Sequence, residues 1–305
     1  MTLRIALVLL AIVAAALAYP WQTTTDWWVF GVAVAVVLVS LAWWRGLFVT
    51  TMIGRRIAVW RRNRATSAAQ PSNRSTVVVR VEDPSGVGLS LPLVAGYVER
   101  FGVRCEKVAV TSRDLAGTRA TWISLTFDAA ANLAALQARS PELPLRDTAE
   151  TAGRRLADHL RETGLTVTLG DASDAPVAGS ARETWRGVRD ERGIVSAYAL
   201  PADERLIERL AELRLQPMET WTVLEFGGTS ARPTIAAACA FRTSEPVRGV
   251  PVRGLEAHPG IQGPLLAAMD PRSVASLGLP RRPLIDGLLQ RITWPAGSGS
   301  DLSRT

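Results

Sequence analysis

Two apolar runs fill the first fifty residues, and they constrain this chain more than any other feature. The first, Ile5 to Ala18, carries no charge and continues through Tyr19, Pro20 and Trp21. At 1.5 Å per residue it reaches about 25 Å, short but workable against a hydrocarbon core of about 30 Å. The second, Trp27 to Thr50, is long enough to span with some tilt. Only Gln22-Thr23-Thr24-Thr25-Asp26 separates them, which is room for a tight turn. The pattern predicts a membrane helical hairpin of two transmembrane helices within residues 1–64.

Charged and aromatic residues orient that hairpin. The turn has no Lys or Arg, whereas Arg45 and then Arg55, Arg56, Arg61, Arg62 and Arg64 lie at the far end of the second run. Basic residues concentrate on the cytoplasmic side of spanning segments, so the turn is expected outside and both termini inside. Trp21, Trp27, Trp28, Trp43, Trp44 and Trp60 gather at the ends of the runs, where an indole prefers the headgroup layer. Gly31, Ala33, Ala35, Ser40 and Ala42 are small residues suited to close helix–helix packing. Met52, Ile53, Ile57, Val59 and Trp60 alternate with the arginines. A basic juxtamembrane helix could therefore lay aliphatic residues on the interface and reach anionic headgroups, although enforcing topology alone also accounts for the arginines. The competing reading of the first run is a cleavable signal peptide ending at Ala16-Leu17-Ala18.

A formal charge of +7 and a pI near 10.5 would suit a nucleic-acid binder, but the location of the charge excludes it. Seven arginines against Asp26 give residues 1–64 a net of +6, which leaves +1 of the +7 for the other 241 residues. No broad basic face remains to neutralise phosphates.

Residues 65–75, small and polar with one proline, read as a linker, and residues 76–294 as a mixed α/β (α+β) cytosolic domain. Strands are expected at 76–82, 103–111, 119–127, 165–169, 193–200, 218–226 and 234–242, and helices at 89–101, 148–163 and 203–213. The helix at 148–163 is the best defined. Asp147 is placed to cap it with Glu150 three residues on, and Ala149, Ala152, Leu156 and Leu160 form its apolar stripe. Residues 245–263, rich in Pro and Gly, read as a binding loop or disorder, and 295–305 as a disordered tail. Cys105 and Cys239 lie in separate strand-like runs and read as buried thiols.

Motifs for chemistry are missing throughout. Gly86-Val87-Gly88 begins a dinucleotide fingerprint, but Leu91 occupies the third glycine position, so a tight turn is the better reading. The only lysine, Lys107, lies outside any glycine loop, and Asp171 and Asp174 suit turn chemistry. His159 reads as half-packed on a charged helix and His258 as a loop residue. The sequence therefore assigns no catalytic, metal or cofactor-binding residue and implies no small-molecule substrate.

Two stretches carry a resemblance: PELPLRDTAETAGRRLADHLRETGLTV at 141–167 and ETWRGVRDERGIVSAYAL at 183–200. With the paired apolar runs and arginine-rich exit, they make the chain similar to EccE, a membrane-complex subunit of the mycobacterial type VII (ESX) secretion system. The resemblance implies a non-enzymatic, multi-pass subunit of the bacterial inner membrane, partnered by EccB, the ATPase EccC and EccD. A length short for that family points to the paralogue serving metal acquisition. The alternatives are a membrane-tethered enzyme acting on a lipid-linked or nucleotide substrate, and a membrane-anchored regulator.

Overall fold

In the computed structural model the second apolar run is not one helix. The structure describes residues 2–17, 19, 23–41, 43–44, 47–64, 73–142, 144–170, 175–177, 180–246 and 249–297. The chain divides into two compact units, Met1–Ala65 and Thr66–Thr305. In the first unit, α1 (Thr2–Leu17) is followed by α2 (Thr24–Leu41). The chain then leaves the helix at Trp43–Trp44 (β1), which pairs antiparallel with Leu47–Phe48 (β2) before α3 (Val49–Arg62) begins.

This overturns the expected fold of a transmembrane hairpin followed by a mixed α/β domain. Among the described residues, no helix is long and apolar enough to cross a membrane. The 16 residues of α1 extend about 24 Å, short of the roughly 30 Å of a hydrocarbon core. The paired strands Trp43–Trp44 and Leu47–Phe48 divide the apolar run that was expected to supply a full span. Most of the chain instead builds one antiparallel sheet with helices packed on it.

That sheet belongs to the second unit and, among the described residues, has twelve strands. Its first half runs β3 (Arg74–Glu82), α4 (Leu91–Ala95), β4 (Glu99–Arg100), β5 (Val103–Leu115), β6 (Thr118–Asp128), α5 (Leu133–Gln137), α6 (Leu145–Glu162) and β7 (Thr166–Leu169). The order β7-β3-β6-β5 is antiparallel throughout, the arrangement of a split β-α-β-β-α-β, ferredoxin-like unit. The second half runs β8 (Arg182–Glu183), β9 (Val188–Asp190), β10 (Gly193–Ala199), α7 (Leu206–Arg214), β11 (Thr220–Thr229), β12 (Arg232–Thr243), β13 (Glu256–Ala257), α8 (Gln262–Ala268), β14 (Arg282–Pro283) and α9 (Leu288–Arg291). It repeats the same order as β11-β12-β10, with β9 and β13 sharing the far side of β10. No sequence repeat announces this duplication. The halves join where β5 pairs with β11, from Thr220 opposite Asp114 to Phe226 opposite Val108.

The strands exceed their expected lengths because tight turns close both long hairpins. Ala116 and Gly117 both take positive φ (50° and 82°), as a two-residue hairpin turn requires. One sheet face carries Val79, Val110, Ile123, Leu125, Leu224, Phe226 and Phe241, buried beneath α6 and α7. The opposite face of the second half carries Val195, Ala197, Val223 and Ala238, buried with Leu265 and Met269 of α8 and its C-cap.

Local details correct several expectations. α6 starts at Leu145, with Pro144 at its N-cap and no side-chain cap, so the Asp147–Glu150 capping box does not form. Asp147 sits in the first turn, where a carboxylate still opposes the helix dipole. The stripe Ala149, Ala152, Leu156 and Leu160 is buried as expected, as are the thiols of Cys105 and Cys239. The 89–101 helix shortens to α4 and one 3-10 turn (Gly96–Val98). Gly86-Val87-Gly88 is the expected tight turn, its Val87 and Gly88 N–H groups donating to the Asp83 carboxylate at 3.0 and 2.7 Å. Within 245–263, Val252 and Leu255 enter the core and β13 pairs with β10. There the Gln262 side chain bonds Ala197 N–H (2.7 Å) and C=O (3.1 Å), standing in for a strand neighbour. Residues 295–297, expected in a tail, pack instead: Ala296 is buried and the Gly297 C=O accepts from Asp83 N–H at 2.7 Å.

Gly153 lets α6 lie close on β3, since a Cβ there would sit 2.7 Å from Val77 Cγ2. Gly153→Val is expected to cost about 1–3 kcal/mol by overpacking, measured by urea unfolding. Gly96→Ala, where an added Cβ meets nothing within 4 Å, should leave stability nearly unchanged.

Candidate docking surfaces

In the first unit, α1 and α2 lie side by side through small residues. Ala11 and Ala33 are buried, and Leu10, Ala14, Trp28, Val29 and Val32 line an apolar groove of about 450 Å³ along the pair. Outside that contact the helices present Leu9, Ile12, Val13, Leu17, Trp27 and Val34 to solvent. Trp27 and Phe30 meet edge to face at 6.1 Å. A continuous exposed apolar surface of this kind marks an interaction or membrane site.

α3 adds a charged counterpart. Ile53, Ile57 and Trp60 recur at spacings of four and three, and all are exposed. Arg56 and Arg61 flank this stripe by helical spacing, and the Arg64 guanidinium stacks 3.8 Å from the Trp60 ring centre. Arg55 and Arg62 are half-buried towards the other side of the helix. Arg61 and Arg62 also lie in the last turn, where cations complement the helix dipole.

The residues singled out in the sequence are thus dispersed. Of the small ones, Ala33 is buried in the helix pair, Gly31 and Ala35 are exposed, and Ser40 lies in α2. Of the aromatic ones, Trp27, Trp28 and Trp60 are exposed, and Trp43 and Trp44 form β1. Trp21, Ala42 and Arg45 lie outside the described residues.

The second unit buries charge that sequence reasoning missed. Arg242 donates to Asp190 Oδ1 at 2.6 Å and to the Pro176 C=O at 2.8 Å, and its Nε lies 2.8 Å from Glu219 Oε2. Arg113 and Arg192 also reach Glu219, at 2.6 and 3.1 Å. Burial alone would raise the Asp190 pKa, but hydrogen bonds from the Arg242 side chain and Arg192 amide outweigh it and hold the carboxyl below its ordinary range. At the other end of the strands, Glu225 accepts from Arg281 at 2.7 Å and from Leu277 N–H at 2.9 Å. Beside it, Lys107 is 1% exposed and donates to the Ala275 C=O at 2.5 Å. These pairs tie residues 270–282 to the sheet. A charged residue amid apolar neighbours was the available signal, and Glu225 between Val223-Leu224 and Phe226 carried it.

His159 accepts or donates at Nδ1 to the Tyr97 hydroxyl, 2.9 Å away, and both cysteine thiols have their pKa pushed up by burial. Among the described residues, no group of three or more His, Cys, Asp or Glu is placed to hold a metal ion.

Comparison with known proteins places this architecture. The family described as "type VII ESX secretion system translocon, EccE" matches residues 115–200, from the end of β5 to the end of β10. The ESX-3 secretion system protein EccE3 of Mycolicibacterium smegmatis is 53% identical over 280 residues, covering 91% of this chain and 90% of that protein. Its Mycobacterium tuberculosis counterpart is 45% identical over 303 residues, covering 96% and 91%. The chain belongs to the EccE family. The resemblance carried by residues 141–167 and 183–200 is borne out, and this EccE-family chain is a component of a type VII secretion system.

Burial depresses the Lys107 pKa to about 8, with Glu225 only partly offsetting it, against 10.5 for ordinary lysine. The folded state therefore releases its proton before the unfolded chain does, so stability should rise as pH climbs from about 8 to 10.5. Urea unfolding across that window should show a rise of about 1–3 kcal/mol that Lys107→Met lacks.

Proposed function

We propose that this chain is a non-enzymatic structural subunit of an ESX-3 secretion complex. Its first unit associates with the bacterial inner membrane, and its second docks on the cytosolic parts of partner subunits. Near-full-length identity to two proteins named ESX-3 secretion system protein EccE3 is the observation that carries the reading. The partners implied by the family resemblance are EccB, the ATPase EccC and EccD. A structural rather than catalytic role is supported by how the buried ionisable groups are used. Asp190, Glu219 and Glu225 are each committed to arginines that hold the fold.

Association rests on the bilayer surface rather than on crossing it. Ile53, Ile57 and Trp60 would enter the headgroup boundary while Arg56, Arg61 and Arg64 meet anionic lipid. The cytoplasmic leaflet carries such negative charge, which supports a cytoplasmic side for this contact.

Extraction in mild detergent with a tag on the second unit should recover a large assembly containing an ATPase. A monodisperse monomer with no stoichiometric partner would count decisively against the subunit role. Separately, the full chain should co-sediment with vesicles containing anionic phosphatidylglycerol. Each of Arg56→Glu and Arg61→Glu should weaken that binding by about 1 kcal/mol or more. Unchanged sedimentation would remove α3 from the membrane contact.

A further inference from the structure

A groove of about 280 Å³ opens in the second unit where three segments meet. The 3-10 turn after α4, continuing into β4, forms one wall, the β11–β12 turn forms the base, and residues 284–290 form the other wall. Both walls are pinned to the base. Glu99 Oε2 accepts from the Ser230 N–H and hydroxyl at 3.0 and 2.9 Å, and the Leu284 N–H donates to the Pro233 C=O at 2.9 Å. The shape is thus set before anything enters, which spares an occupant the cost of ordering the site.

The lining is apolar with two acids. Pro92, Val98, Pro233, Ile285 and Leu289 supply the apolar surface, and Ile285 is exposed. Among the described residues, no Lys, Arg or His lines the groove, whereas Glu99 and Asp286 do, and both are exposed. Neither carboxylate closes an ion pair among those residues, and Asp286 has no hydrogen-bond partner there either. The Ser230 bonds, helped by Arg104 opposite Glu99 in the β4–β5 hairpin, hold the Glu99 carboxyl below its ordinary range. Arg100, next in sequence, lays its guanidinium near the Tyr97 and Phe101 rings instead, at 5.0 and 5.2 Å. Gly96 and Gly287 stand on the two walls, and a Cβ added at either meets nothing within 4 Å. Gly287, at φ 72°, needs glycine for its backbone; Gly96, at φ −62°, does not. What glycine contributes at Gly96 is space.

We propose that this groove receives a basic, apolar segment of a partner polypeptide, with arginine or lysine flanked by aliphatic residues. The aliphatic side chains cover Pro92, Pro233 and Ile285, and the cationic groups meet Glu99 and Asp286. At about 280 Å³ the groove falls just below the usual range of small-molecule pockets, so it suits one or two side chains of a segment whose backbone stays at the surface. Carboxylates without a paired base beside an apolar surface also disfavour acidic segments, so the charge selects as well as attracts. The inference rests on the docking role proposed above, yet the two fail separately. Peptide binding by the purified chain without recovery of an ATPase assembly would remove only the subunit role, and the converse result would remove only the groove.

The test is fluorescence anisotropy of a labelled, end-blocked hexapeptide of alternating valine and arginine, titrated with the full chain. Saturable binding is expected, about fivefold weaker for the double variant Glu99→Gln/Asp286→Asn. Glu204→Gln/Glu208→Gln removes the same charge from residues that do not line the groove and should bind as the native chain does. Gly96→Phe fills the groove without changing any charge and should abolish binding while circular dichroism stays native. Absence of saturable binding would overturn the proposal. So would undiminished binding to Gly96→Phe, which would make the attraction one of net charge alone. Equal binding of a valine–glutamine hexapeptide would remove the carboxylates from recognition. Displacement of the peptide by arginine amide at constant ionic strength would overturn segment docking in favour of a small-cation site.

Discussion

The pairing of β5 with β11 is the interaction on which the second unit depends. In each ferredoxin-like half that strand is an edge, and an edge exposes a row of unpaired N–H and C=O groups. Joining the two edges satisfies both rows at once and makes one sheet of two halves. Side chains reinforce the seam on both faces. Val110 lies opposite Leu224 and Val108 opposite Phe226 beneath the helices, while Ala109 faces Glu225 and Arg113 faces Trp221 on the other side. Because the inner edges are spent on each other, further pairing is left to the outermost strands.

Buried charge ties the seam to its surroundings at a cost in desolvation. Arg113 and Arg242 lie 5.8 and 5.6 Å from the Trp221 ring and share Glu219, linking β5, β11 and β12 through one carboxylate. Such pairs seldom add much stability over apolar packing, but removing one member strands the other in a dry site. Here they also hold segments that lack regular structure. The Pro176 carbonyl is fixed by Arg242, and residues 270–282 by Glu225 and Lys107.

The first unit has the opposite character. Among the described residues, its helices bury Ala11 and Ala33 and leave tryptophans and aliphatic residues uncovered, with arginines concentrated on α3. Exposed apolar surface beside basic residues is costly in water and favourable against lipid or a partner, which is the physical ground for the membrane association proposed for this unit.

Much of the second unit is legible in the sequence because its signals are local. The stripe of α6 repeats within one helix, the alternation of β6 within one strand, and both cysteines declare themselves by apolar surroundings. The family, too, is readable in residues 141–200. The apolar run at 27–50 misled because hydropathy does not report the point where a chain turns. Trp43 pairs with Phe48 through backbone bonds that composition does not encode. The β5–β11 seam joins residues more than a hundred positions apart, and the state of Lys107 depends on Glu225 and on a carbonyl at Ala275. Periodicity belongs to a single element and so survives in sequence. Strand partners, open edges and the solvation of a charge are set by distant neighbours, and only the folded chain brings those together.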